Sequence, residues 1–262
     1  MTRLRTEWIE DISERMSSYN ETLKQRTGVD LSELMSISFK LRDDTVYNEK
    51  MHRKVFVVPI TQGEGLINKF SDSVAAVINS MGFEASVTEK TDVDGVYEAT
   101  LKGADIIFMA DDIRYMALNI KNGKKGENNY CTALGYVDIL FQMAKHRDKT
   151  IGKEEIVILG YGNLGKEAEK ILLDRGYKPK VYDKLESIGQ SIKLEEVKNY
   201  PYVLDFTDEG NWLDIDKLNT DALYASPGVP ISLTNKAIKK LKDRAVYDVL
   251  EIGTAVMLGS AI

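Results

Sequence analysis

A single cysteine among 262 residues, Cys131, rules out an intrachain disulfide and makes a reducing compartment the natural home. Histidine is almost as scarce, with two in the chain and neither close to Cys131 in sequence. The thiol therefore lacks the neighbouring base that a nucleophile needs and reads as a small buried apolar residue. An excess of basic residues is also missing. The net charge is −6, and the acids are spread along the chain instead of forming a tail, so no surface for nucleic acid is expected. No apolar run approaches the roughly 18 residues of a membrane helix, and no secretory leader is expected at the amino terminus. The expectation is a cytoplasmic protein with no membrane or nucleic-acid partner and no metal.

What is present is a complete dinucleotide-binding pattern from Glu155 to Asp183, EIVILGYGNLGKEAEKILLDRGYKPKVYD. Ile156–Leu159 is a short apolar run suited to a buried parallel strand. Gly160, Gly162 and Gly165 follow as G-x-G-x-x-G, where the first permits a tight turn, the second lets a pyrophosphate approach, and the third lets a helix pack close. The loop residues Gly160, Tyr161, Gly162, Asn163, Leu164 and Gly165 are the candidate phosphate contacts, facing a helix amino terminus with free N–H groups. Ala168, Ile171 and Leu172 recur on one helix face, and Arg175-Gly176 ends it. Lys180–Tyr182 reads as a second strand that delivers Asp183, about 20 residues beyond the glycines, where an acid meets the ribose hydroxyls of NAD. Lys184, next in line, is a cation that would favour a 2′-phosphate.

A hydrophobic content of 43% provides a core for two domains. Residues 1–150 read as an amino-terminal helix plus a smaller α/β substrate-binding domain, and residues 151–262 as a Rossmann NAD-binding domain ending in a small-residue helix. Glu7–Thr27 has Trp8, Ile12, Met16, Tyr19 and Leu23 at helical spacing, either packing on a neighbour or closing as a lid. Leu31 to Arg53 shows no pattern and reads as a loop. From Lys54 onward, strands at 55–60, 85–88 and 105–110 alternate with helices at 70–81 and 95–101. Parallel pairing follows, with functional residues at the carboxyl ends of the strands. Ile60, Thr61 and the glycines around Glu64 follow the first of these strands, and Ala110 and Asp111 close the third. The amides of Asn119, Asn122 and Asn129, in NIKNGKKGENNYCT, both donate and accept hydrogen bonds and suit a polar substrate. Thr132 is the expected cap of a long helix at 133–145.

Beyond Asp183, strands are expected at 203–207 and 223–226. Thr207 at one strand end and Ser226-Pro227 in the SPGVP loop at the other are candidate contacts for the nicotinamide end of the cofactor. EIGTAVMLGSAI reads as a glycine turn and an apolar helix.

VPITQGEGLINKFSDSV, GFEASVTEKTDVDGVYEA, GADIIFMADD, NIKNGKKGENNYCT and EIGTAVML resemble the corresponding phrases of the pyrrolysine synthase (PylD) family, as do TGVD at 27–30 and SPGVP. The resemblance runs from about Val55 to Phe141, resumes at the glycine loop and returns at the tail. It implies an NAD-dependent dehydrogenase acting on the isopeptide L-lysine-Nε-3R-methyl-D-ornithine. The terminal amine is oxidised to a semialdehyde with release of ammonia, and cyclisation with loss of water gives pyrrolysine. It also implies that Leu4, Ile60, Ala110, Asp111 and Asn129 contact the substrate, that Asp111 holds the amine, and that the protein is a homodimer. Leu118 departs from the family, which carries histidine there. The residues alone leave two alternatives open: another NAD-dependent amino-acid or hydroxy-acid dehydrogenase, and a non-catalytic NAD(H)-responsive binding protein.

Overall fold

The computed structural model of the chain describes residues 4–185 and 192–262. The elements run in chain order as α1 (Thr6–Ile9), α2 (Ile12–Thr27), α3 (Leu31–Phe39), α4 (Asp43–His52), β1 (Lys54–Val57), α5 (Phe70–Ser80), β2 (Glu84–Val87) and α6 (Asp92–Leu101). β3 (Ile106–Ala110), β4 (Tyr115–Asn119), β5 (Lys125–Glu127), α7 (Asn128–Lys145), β6 (Ile156–Leu159), α8 (Asn163–Asp174) and β7 (Lys180–Tyr182) follow. The chain ends with β8 (Tyr202–Asp205), β9 (Leu223–Ser226), α9 (Asn235–Leu241), β10 (Ala245–Tyr247) and α10 (Glu251–Ala261). These elements form two compact units. The first takes the chain up to Glu21, Leu31–Thr132 and Leu250–Ile262, and the second takes Thr22–Asp30 and Ala133–Val249.

In the first unit the strand order is β2-β1-β3-β4-β5, with β1 parallel to β2 and β3, and β4 antiparallel to both of its neighbours. The chain leaves β1 toward β2 on one side and then places β3 on the other. That reversal opens a crevice at the carboxyl ends of β1 and β3, because the two connections diverge there. Phe56, Val58, Ala99, Ala104 and Ile107 form a buried cluster against this sheet. α10 is apolar almost all round, and it packs on α3, α5, β4 and β5.

In the second unit the order is β10-β9-β8-β6-β7, all parallel. β6, β8 and β9 are buried at every residue, the pattern of strands covered on both faces. The same kind of reversal occurs between β6 and β8, so the glycine loop after β6 emerges at the switch point.

Several expectations are corrected. Most of the stretch 31–53 is helical, as α3 and α4, because Leu31, Leu34 and Met35 make a buried stripe on α3, while α4 buries only Val46 and so shows little periodicity. The amino-terminal helix is broken between Ile9 and Ile12, which shifts its phase and seats Ile9 in the core where Trp8 was expected. The helix expected at 133–145 starts at Asn128 instead: the Glu127 carboxylate accepts the N–H groups of Asn129 and Tyr130 at 3.1 and 3.3 Å. Thr132 is inside α7, donating its hydroxyl to Asn128 Oδ1 at 2.9 Å. The boundary expected near residue 150 also differs from this division, and the carboxyl-terminal helix expected in the nucleotide domain lies in the first unit. Among the described residues no helix is long and apolar enough to cross a membrane.

Candidate functional site

The glycine loop shows which of its residues the fold itself requires. Gly160 has a φ of +81°, and a Cβ there would stand 2.8 Å from the backbone of Phe206 and Thr207. A Cβ on Gly165 would stand 2.1 Å from the Gly160 carbonyl oxygen, so only glycine lets α8 start this close to β6. Gly162 is different. Its φ of −74° suits any residue, and a Cβ there would meet nothing within 4 Å among the described residues. It is the N-cap of α8, with no side-chain cap on the N–H groups that follow, so an uncapped helix amino terminus faces open space. Asn163 is exposed and Leu164 half-buried in the first turn.

Asp183 is drawn onto this loop. Its Oδ2 accepts the Tyr161 N–H at 2.7 Å and its Oδ1 the Leu185 N–H at 2.8 Å. The Tyr161 hydroxyl donates to Glu169, which raises the phenol pKa, and Lys166 lies over the ring at 5.7 Å from its centroid. Lys184 turns to acids, with its Nζ 3.2 Å from Glu209 Oε2 and 3.9 Å from Asp208 Oδ1. The hydrogen bond to Glu209 raises the pKa of the ammonium.

Thr207 and the SPGVP loop arrive at the same sheet edge. A Cβ on Gly228 would stand 2.7 Å from Ser226 Oγ and 3.4 Å from the Thr207 carbonyl oxygen. What fixes Thr207 is Asp205, a residue the sequence reading missed. Its Oδ1 accepts the N–H and hydroxyl of Thr207 at 2.9 and 2.7 Å, while its Oδ2 accepts the Tyr224 hydroxyl at 2.9 Å and the Ser232 hydroxyl. Burial pushes the Asp205 carboxyl above the usual range, and these hydrogen bonds pull it back. The indole N–H of Trp212 donates to Thr207 Oγ1 at 3.3 Å. An acid and a hydroxyl directly after the apolar run Tyr202-Val203-Leu204 were the available signal.

In the first unit, the reversal between β1 and β3 gathers a second group of residues. Ile60 and Thr61 follow β1, and Ala110 and Asp111 end β3. Thr61 is held by Asp92, whose carboxylate accepts its N–H at 2.8 Å and its hydroxyl at 2.6 Å. These bonds, the hydroxyl's first, hold the Asp92 carboxyl below the usual range. The short 3-10 turn Gly63–Leu66 lies against the adjacent aspartates, since a Cβ on Gly63 would stand 2.3 Å from the Asp112 nitrogen. Asp111 Oδ1 accepts the N–H groups of Ile113 and Arg114 at 2.8 and 2.7 Å and so pins the turn into β4. β5 runs antiparallel to β4 and ends at this same edge, bringing Asn129 there on the first turn of α7. Leu4 is half-buried immediately before α1, on a segment anchored by the Ser73 hydroxyl at Ile9 O, 2.9 Å.

Asn119 and Asn122 do not join this group. Asn119 pairs with Ile106 at the opposite end of β3, four residues or roughly 13 Å from Ala110 at strand rise. It is fully buried, donates to Ala261 O at 2.8 Å and accepts the N–H groups of Lys121 and Asn122. Asn122 sits in the exposed β4–β5 turn, accepting the Lys124 N–H. Both amides are spent on turning the chain. Leu118 lies mid-strand, paired with Ile107 and Lys125. Cys131 is fully buried, and burial pushes its thiol up to about 12, which leaves it no nucleophilic role at neutral pH.

The family model for the pyrrolysine biosynthesis protein PylD, N-terminal domain, matches residues 8–125. Pyrrolysine synthase of Methanosarcina acetivorans is 28% identical over the full length of both chains. Pyrrolysine synthase of Methanosarcina barkeri is 30% identical over 80% of this chain and 81% of its own. Among solved structures, a 5,10-methylenetetrahydrofolate dehydrogenase from the silkworm Bombyx mori superposes with a TM-score of 0.54, at 12% identity over 87% of this chain and 92% of its own, a likeness of fold alone. With a Rossmann-type dehydrogenase fold and relatives of this identity and coverage, the chain belongs to the pyrrolysine synthase family of pyrrolysine biosynthesis.

Proposed function

We propose that this chain oxidises the terminal amine of L-lysine-Nε-3R-methyl-D-ornithine with NAD, that water adds to the resulting imine and ammonia leaves, and that the semialdehyde so formed cyclises onto the neighbouring α-amine with loss of water to give pyrrolysine. The observation that carries the cofactor half is Gly162. The fold explains Gly160 and Gly165 by contact, but nothing among the described residues requires a glycine at 162, where an uncapped helix terminus faces open space. A pyrophosphate accounts for both features. The backbone from Gly160 to Gly165 would hold the phosphates, Asp183 the adenosine ribose, and Thr207, Ser226 and Pro227 the nicotinamide end. Bound NAD supplies the acceptor for the hydride that leaves the amine-bearing carbon.

The amine is the task of the first unit. The Asp111 hydrogen bonds to the β4 turn go to Oδ1, so Oδ2 is the oxygen left to receive an ammonium in a charge-assisted bond. Ile60, Thr61, Ala110 and Asn129 stand at the same edge to hold the rest of the isopeptide, with Leu4 as a further contact. The working form is a homodimer, as the family resemblance implies, in the cytoplasm, as the composition leads one to expect. The test is to supply the isopeptide and NAD and to follow NADH by absorbance and the product by mass spectrometry. NADH together with a cyclised product is expected. NADH formed only with other amino or hydroxy acids, or no NADH with any of them, would overturn the assignment.

A further inference from the structure

We infer that Asp208 and Glu209 set the preference for a dinucleotide lacking a 2′-phosphate, by occupying Lys184. This rests on the dinucleotide reading above. Lys184 directly follows Asp183 at the carboxyl end of β7, where the adenosine ribose of a dinucleotide on this loop lies. A disengaged ammonium at that place is what a 2′-phosphate would pair with. In this chain the ammonium is bracketed by two acids from the loop after β8, at 3.2 and 3.9 Å. With Asp183 as the third acid, the local count is three negative charges and one positive, or −2. A 2′-phosphate brings about −1.5 to −2 more at pH 7, whereas ribose hydroxyls bring none.

The same contacts have a plainer use, as surface ion pairs tying two loops together. The side chains of Lys184, Asp208 and Glu209 are 60–71% exposed, and pairs this exposed contribute little to stability. Their charge, however, acts on any anion brought close to Asp183, within the roughly 8 Å over which physiological salt leaves charges visible.

The double variant Asp208→Asn/Glu209→Gln changes the local count to one negative and one positive charge, or zero, and frees Lys184. Titration calorimetry with NAD and with NADP on the full chain is expected to show NADP affinity rising about tenfold, with NAD affinity within about threefold of the parent. Adding Lys184→Ala to the double variant is expected to remove most of that gain, since the phosphate then loses its partner. An unchanged NADP affinity in a double variant that still binds NAD would overturn the inference, as would a gain that survives Lys184→Ala. If the parent binds neither nucleotide, the dinucleotide reading falls and the inference falls with it.

Discussion

Arg15 reaches Glu251 at 2.6 Å, joining the second helix of the chain to the last, and the Glu251 side chain is fully buried. Its other oxygen accepts the Leu250 N–H at 3.0 Å. Removing the guanidinium takes a counter-charge from a buried carboxylate, and breaking a buried pair costs more than the pair contributes while intact. Because Arg15 is 29% exposed, water can enter the vacated space and the cost is moderated. Arg15→Ala is expected to lower unfolding free energy by about 2 kcal/mol, with Arg15→Ala/Glu251→Gln recovering part of the loss. Urea unfolding decides: a single variant within about half a kcal/mol of the parent would show that the pair does not hold these helices together.

The open space above Gly162 separates binding from folding. The φ at Gly162 is negative and a Cβ there would meet nothing within 4 Å among the described residues, so Gly162→Val is expected to keep the parent's circular dichroism while losing at least about 100-fold in dinucleotide affinity. Gly165→Ala should do the reverse and compromise the fold, because its Cβ would stand 2.1 Å from a carbonyl oxygen. A folded Gly162→Val protein that binds NAD like the parent would mean the loop does not receive a pyrophosphate.

These two glycines also mark what was legible in the sequence. Strand, glycines, helix, strand and Asp183 are local in the chain, so spacing alone placed Asp183 on the loop, where the Tyr161 N–H meets it. Asp111 was legible as a strand end, because buried parallel strands are apolar runs with abrupt stops, whereas the strand expected at 55–60 stops at Val57 and leaves Ile60 in the loop beyond it. β5 was not legible. Lys125-Gly126-Glu127 has no strand propensity, and it pairs only where the backbone of α10 comes so close that a Cβ on Gly126 would stand 2.4 Å from Met257 O. Asn119 misled for the same reason, since its partner Ala261 is supplied by the tail. Nor was the division of α2 visible. Arg26 donates to Ala245 O at 2.8 Å and its carbonyl accepts from Arg147 at 2.7 Å, which places Thr22–Asp30 in the second unit. A truncation of residues 1–27 would therefore cut into both units and is no test of a lid.

Asp205 holds Thr207 in place, and the effect of replacing it should reach Trp212 through the shared hydroxyl. Asp205→Ala removes the acceptor shared by half-buried Thr207 and by the buried Tyr224 and Ser232 hydroxyls, which keep their bond to each other, and is expected to cost about 3 kcal/mol, with a shift in Trp212 emission measured in a Trp8→Phe background. Asp205→Asn tests the sign of the electrostatics. Burial raises the folded-state pKa of this carboxyl above its ordinary 3.8, so the parent is stabilised by protonation and loses that contribution as pH rises through the raised value. Asparagine does not titrate. The stability deficit of Asp205→Asn relative to the parent should therefore shrink as pH rises from below 3.8, and a deficit that grows with pH would show that the hydrogen bonds outweigh burial.

Cys131 should be silent to alkylation in the native protein. At pH 8 a thiol pushed up to about 12 is ionised in about one molecule in ten thousand, and the side chain is fully buried. Iodoacetamide followed by mass spectrometry should give no adduct in buffer and complete modification in guanidinium chloride. Rapid modification of the native chain would contradict this burial.

Asp111 offers the clearest separation of structure from chemistry, because different work is proposed for its two oxygens. Oδ1 accepts from Ile113 and Arg114 and pins the β3–β4 turn. An asparagine keeps an acceptor in that position, so Asp111→Asn should retain the parent's unfolding midpoint. It removes the negative charge that an ammonium would meet at Oδ2. A charge-assisted bond contributes about 1.5–3 kcal/mol, so kcat/KM for the isopeptide should fall by about 10- to 100-fold, while affinity for NAD, whose proposed site is in the other unit, stays within about twofold. Asp111→Ala should lose the turn as well and fall in both activity and stability, and that difference between the two variants is the signature of the divided role. Asp111→Asn turning over at the parent's kcat/KM would remove Asp111 from contact with the amine and leave it as a turn-forming residue alone.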